Sequence, residues 1–133
     1  MEASMLTQHQ LNEFRRILER RFLEVREEIR QELLQSDEQS YIELAGQVPD
    51  LENSALADLL VDIALADIDR HVQEIRDINA ALLRIAEESY GLCCDCGESI
   101  DLARLGAYPT AKRCLSCQSK TESRFARLRS TSL

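Results

Sequence analysis

The chain has 133 residues, with 24 Asp or Glu against 16 Lys or Arg, a net charge of −8, no Trp and few Gly or Pro. That length suits one compact domain, or an extended element with a small module, and the composition favours long helices over sheets. The acidic balance argues against non-specific nucleic-acid binding, which needs a basic face for phosphates, and makes a protein or a basic surface the more natural partner.

The N-terminal stretch MEASMLTQHQ carries an acid and lacks an apolar core, so no signal peptide is expected. No run of about eighteen apolar residues is present to cross a membrane. A cytoplasmic location is the expectation that follows.

From Leu6 onward, apolar residues recur at Leu11, Phe14, Leu18, Phe22, Val25, Ile29 and Leu33, with Glu and Arg between them. This three-then-four rhythm marks a helix that buries one narrow seam. Tyr41, Leu44 and Val48 continue the seam past Ser36, Asp37 and Glu38, which predicts a helix extending to about Gln47. Pro49 restricts Val48 away from helical geometry and turns the chain.

Residues 48–54 read as a short acidic turn, with Asn53 or Ser54 placed to cap the next helix. The second helix is predicted from about Ala55 to Ser89, its seam made of Val61, Leu65, Ile68, Val72, Ile75, Leu82 and Ile85, with Gly91 ending it. Two such helices joined by a short turn must lie antiparallel. Counting outward from the turn places Ile29 near Val72 or Ile75. Closure within one chain predicts a monomer, and a 35-residue helix would make a rod about 50 Å long.

All five cysteines lie between Cys93 and Cys117. Cys93/Cys96 and Cys114/Cys117 form two Cys-x-x-Cys pairs with seventeen residues between them, a spacing that lets four thiolates close a tetrahedral zinc site. Gly97 follows the first pair and can supply the positive φ of a knuckle. Disulfides or a redox dithiol are the competing reading, disfavoured by a reducing location and by the lack of a βαβ pattern. Cys94 competes with Cys93 as ligand, but one residue between Cys94 and Cys96 is too few, so Cys93 is preferred.

Four sulfurs leave no open position, so the zinc is expected to be structural, contributing folding energy. His9 and His71 are expected at the surface rather than as ligands. After Cys117 a short basic helix is predicted, with Phe125 and Leu128 on the side that packs on the finger.

The expected fold is therefore mainly α: a long antiparallel two-helix coiled coil over 1–89 with its tip at 48–54, then a four-cysteine zinc finger and short C-terminal helix over 90–133. A rod with an acidic tip has no concave pocket, so no enzyme activity is expected.

The residues Tyr90, Gly91, Cys93, Cys96, Gly97, Glu98 and Ile100, followed by Arg104, Leu105, Ala107, Pro109, Thr110, Cys114, Cys117 and Gln118, resemble the zinc-finger signature of the DksA/TraR family of bacterial RNA-polymerase-binding regulators. The resemblance implies a coiled coil inserted into the polymerase secondary channel, its acidic tip near the catalytic centre, with no sequence-specific DNA binding. The family's tip motif Asp-x-x-Asp-x-Ala falls on Asp50, Leu51, Glu52, Asn53, Ser54 and Ala55, so that the second carboxylate is replaced by an amide and Glu52 adjoins it. At the positions where the family gathers cations for the alarmone ppGpp, this sequence has Asp77, Tyr108 and Gln118. An acid there repels a polyphosphate, so a DksA-like ppGpp site is not expected. The alternatives are a zinc-stabilised coiled-coil adaptor for another protein partner and, more remotely, a thiol sensor using Cys94 or labile zinc ligands.

Overall fold

The computed structural model describes residues 6–35, 39–47, 58–60 and 66–131. Among the described residues the helices with defined bounds are, in order, α1 (Gln8–Leu34), α2 (Gln39–Ala45), α3 (Ala66–Ala86), α4 (Leu102–Ala107) and α5 (Leu115–Thr131). Among the described residues the only β feature is one isolated antiparallel bridge, Leu92 with Ser99. The mainly helical class expected from composition is what the chain adopts.

The start of α1 is set by a reciprocal cap. The Thr7 hydroxyl accepts the Gln10 N–H at 3.1 Å, while the Gln10 side-chain carbonyl accepts the Thr7 N–H at 2.9 Å, so two donors that the first helical turn leaves open are satisfied.

The chain divides into two compact units, residues 16–80 and residues 1–15 with 81–133. In the first, Leu18, Phe22, Val25, Ile29 and Leu33 of α1 and Ile68, Val72, Ile75 and Ile78 of α3 are buried. The α1 seam thus forms core as expected, while the buried row of α3 passes through Ile78, outside the expected seam. The expected Leu82, in the other unit, is only half-buried, and Val61 and Leu65 lie outside the described residues. Ion pairs fix the direction. Arg21 reaches Glu74 at 2.5 Å, and His71 lies 3.1 Å from Glu28 and 3.7 Å from Glu32. As α1 advances, its partners on α3 recede, which makes the pair antiparallel and sets Ile29 at the level of Val72, as counted. His71 is not the expected surface residue: its side chain is only 17% exposed, between two carboxylates, whereas His9 is exposed.

Two predicted helices are interrupted. The first ends at Leu34 and a separate seven-residue helix occupies Gln39–Ala45; the polar run of Ser36, Asp37 and Glu38 that separates them lies outside the described residues. The second predicted helix, Ala55 to Ser89, is not one straight element. Arg76 is ion-paired with Asp58, although an unbroken helix would hold positions 18 apart on the axis about 27 Å from each other. Residues 58–60 are helical, with Leu60 fully buried, and α3 begins at Ala66. Helical periodicity alone does not register such a fold-back, because the apolar spacing is the same on both sides of it.

In the second unit the end of α3 differs from expectation too. The helix stops at Ala86, and Glu88, not a glycine, takes the left-handed conformation with φ 64°. The Ser89 N–H donates to the Arg84 carbonyl at 2.9 Å and the Glu88 N–H to the Ile85 carbonyl at 3.2 Å, the paired six-to-one and five-to-two bonds of a Schellman cap. The chain then enters a small core of Phe14, Ala81, Ile85, Tyr90, Cys93, Ile100 and Leu105.

Candidate metal centre

Tyr90 is the internal post on which the cysteine module is built. Its ring is fully buried, 5.6 Å from that of Phe14, and its hydroxyl donates to the Pro109 carbonyl at 2.7 Å. Burial pushes its hydroxyl pKa up to about 12. Three residues later the chain forms the first knuckle: the Cys93 N–H donates to Glu98 at 2.8 Å, Gly97 N–H to Cys93 at 3.0 Å, and Ile100 N–H to Gly91 at 2.7 Å. Gly91 and Gly97 both have positive φ, 87° and 77°, and Gly97 thus fills the role expected for it.

The second knuckle leads directly into α5. The Cys117 N–H faces the Cys114 sulfur at 3.5 Å and the Gln118 N–H donates to the Cys114 carbonyl at 2.9 Å. The first-turn N–H groups of a helix favour a thiolate there.

The sulfurs of Cys93, Cys96, Cys114 and Cys117 all lie within 4.8 Å of one another, and those of Cys96 and Cys114 are 3.8 Å apart. A tetrahedron with zinc–sulfur bonds of about 2.3 Å needs sulfurs about 3.8 Å apart. The donor set therefore fits zinc, and Cys93 is in it, whereas Cys94 is exposed with its sulfur 3.6 Å from the Asp95 carboxylate.

The electrostatics of the four sulfurs also ask for a cation. At Cys93, burial opposes ionisation but is outweighed by N–H groups of Cys96, Cys114 and Asp95, leaving its pKa at about 6. At Cys117 the Cys114 side chain, followed by burial, pushes the thiol up to about 12. Thiols this close cannot all ionise by themselves, and a divalent cation removes the conflict. The chain holds its zinc as a structural ion, with all four positions taken by sulfur.

The remaining predicted residues are placed as follows. Tip residues Asp50, Glu52, Asn53 and Ala55 lie outside the described residues. Of the three positions compared with the alarmone site, Asp77 accepts from Gln73 at 3.2 Å, Gln118 donates to Glu122 at 3.1 Å, and Tyr108 is exposed under the Arg104 guanidinium, 5.8 Å from its ring centre. Phe125 and Leu128 do not pack on the finger: they are 59% and 62% exposed. They line an open groove with Arg113, Lys120 and Arg124. Residues 112–133 hold six Lys or Arg against one Glu, while the rest of the chain holds ten against 23 Asp or Glu, so the segment ending in α5 is a basic, partly apolar stretch on an acidic protein.

A helical hairpin carrying a four-cysteine zinc finger is the class of protein this fold and site define. Residues 88–123 match the prokaryotic dksA/traR C4-type zinc finger. Over 119 residues the chain is 30% identical to the RNA polymerase-binding transcription factor DksA of Escherichia coli strain K12, covering 90% of this chain and 76% of that one. It is 33% identical over 76 residues to the factor of the same name in Haemophilus influenzae, covering 57% and 52%. The solved structure of transcription factor DksA2 from Pseudomonas aeruginosa is similar in fold, with a TM-score of 0.61 at 23% identity, covering 95% of this chain and 93% of that one. The chain belongs to the DksA/TraR family. No helix among the described residues is long and apolar enough to cross a membrane.

Proposed function

We propose that this protein is a cytoplasmic transcription regulator that binds RNA polymerase as a monomer and catalyses no reaction of its own. The observation that carries the reading is the 30% identity to the E. coli polymerase-binding factor DksA over 76% of that protein's length, together with a four-sulfur metal site that leaves no position for chemistry. In this reading the hairpin of residues 1–89 enters the secondary channel, and the finger of residues 90–133 holds its base. Asp50, Glu52, Asn53 and Ala55 approach the catalytic centre. Contact is with protein, and no DNA sequence is read. Asp77, Tyr108 and Gln118 supply no cation for a tetraphosphate, so regulation does not use a DksA-like ppGpp site.

The test is competition. Zinc-loaded protein is expected to co-elute with core RNA polymerase at low salt and to be displaced by an established secondary-channel binder. Absence of co-elution, or binding that the competitor leaves intact, would overturn the channel reading. Asn53 in place of the family's second tip carboxylate favours one alternative, an adaptor that keeps the scaffold and serves another protein. Asn53→Asp separates the two: stronger effects on purified transcription support the channel, and inactivity of both forms supports the adaptor.

A further inference from the structure

The two knuckles are joined by more than a shared ion. Asp95, between ligands Cys93 and Cys96, accepts a hydrogen bond from the Arg113 guanidinium at 2.8 Å, and Arg113 immediately precedes ligand Cys114. The Cys94 N–H donates to the Lys112 carbonyl at 2.8 Å, and the Arg104 guanidinium donates to the Arg113 carbonyl at 3.1 Å. The side-chain pair thus links the residues next to Cys96 and Cys114, whose sulfurs stand 3.8 Å apart, and the backbone tie adds a second link from Cys94, next to Cys93, to Lys112. The Arg113 side chain is 23% exposed and that of Asp95 43%, so the pair lies at the surface of the finger and acts by holding geometry rather than by buried charge.

We infer that Asp95 and Arg113 are positioning residues for the metal: a clasp that holds the two Cys-x-x-Cys knuckles at ligand spacing and slows the loss of zinc. This rests on the four-sulfur zinc centre and goes beyond it, because neither residue touches the ion. Partners outside the ligand set commonly orient ligands and set metal retention in this way.

The sign of one substitution distinguishes a clasp from simple charge compensation. Zinc with four thiolates carries a net charge of −2. If charge alone mattered, removing the nearby Asp95 carboxylate would favour retention of zinc. If the clasp matters, removing it has the opposite effect, since Arg113 loses its anchor.

The experiment uses the full zinc-loaded chain and follows zinc transfer to an excess of a chromophoric chelator. Asp95→Asn and Arg113→Gln are each expected to speed release about tenfold, the lower end of the usual effect of such partners. The double variant should be no faster than the faster single variant, and exchanging the two residues, Asp95→Arg with Arg113→Asp, should recover most of the lost retention. Arg21→Gln, in the other unit, serves as the control expected to release zinc as the parent does. Zinc content and far-UV circular dichroism before mixing confirm that each variant starts loaded and folded; a parent without zinc would sink the metal centre itself. Asp95→Asn that releases zinc at the parental rate or more slowly, or an exchange variant no better than the singles, would overturn the clasp.

Discussion

At the scale of single residues, the structure favours one side chain in an unusual environment and strains another. Tyr90 is buried with its hydroxyl on the Pro109 carbonyl, and its pKa of about 12 lies above the ordinary tyrosine value of about 10. The folded state therefore favours the protonated phenol. The stability this contributes is fully present below pH 10 and is lost as pH rises toward 12, amounting to about 2–3 kcal/mol across that window. Tyr90→Phe should lower stability at pH 7 by about 1 kcal/mol through the lost hydrogen bond, and its unfolding free energy should change less than the parent's between pH 10 and 12. Denaturant titrations at several pH values check both signs. Glu88 bears the strain, because a side chain at φ 64° meets the backbone where glycine meets nothing. Glu88→Gly is expected to raise the denaturation midpoint by about 0.5–1 kcal/mol in equivalent stability, and a lower midpoint would show that the Glu88 side chain makes a compensating contact.

At the scale of elements, the hairpin is held by its seam, with polar contacts deciding direction and register. Arg21 meets Glu74 through two parallel bonds of 2.5 and 3.0 Å and also reaches Glu24 and Glu28 at 3.3 Å. Its side chain is half-exposed, so solvent screening limits the pair with Glu74 to about 1 kcal/mol or less. Leu18 or Ile29, by contrast, is fully buried, and Ile29→Ala should cost about 2–5 kcal/mol. Arg21→Ala and Ile29→Ala measured by chemical denaturation should therefore differ severalfold; equal losses would show that the ion pairs, rather than the seam, carry the hairpin.

What was legible in the sequence follows the range of the interactions involved. The zinc ligands could be named because two residues between cysteines constrain local geometry strongly, and the buried seam positions because helical spacing recurs with every turn. The Thr7 and Gln10 cap is also legible as a Ser/Thr-x-x-Glu/Gln pattern before an apolar run, a local signal that the heptad spacing does not contain. The Asp58 contact with Arg76 was not, since it depends on tertiary fold-back that leaves the 3.6-residue rhythm unchanged. Nor was the left-handed Glu88, for which Gly91 was the more obvious terminator. Phe125 and Leu128 looked like packing residues because amphipathic spacing says which side chains share a face without saying what that face meets.

At the scale of the whole molecule, metal and partner are separate questions with separate readouts. Removing zinc leaves four thiols whose preferences conflict, with Cys93 drawn toward ionisation and Cys117 held protonated. Strong chelation should therefore lower thermal stability, and re-addition of zinc should restore it, because the ion's binding energy is also folding energy. Unchanged melting after confirmed zinc loss would separate folding from the metal. For the partner, the face of α5 bearing Phe125 and Leu128 is open and basic. Phe125→Ser with Leu128→Ser should leave zinc content and helicity unchanged, since neither side chain is buried. Any loss of polymerase association would then be read as lost contact.

One ligand has a double life. Cys117 holds the ion and is also the third residue of α5, with its carbonyl taken by the Thr121 hydroxyl at 3.1 Å. The C-terminal helix is thus a cantilever clamped at the metal, with Phe125 and Leu128 largely exposed farther along it. Loosening the clamp would uncover little fresh greasy surface, yet it would let the beam swing, so demetallated protein should report the change first as faster tumbling of a probe near the C-terminus.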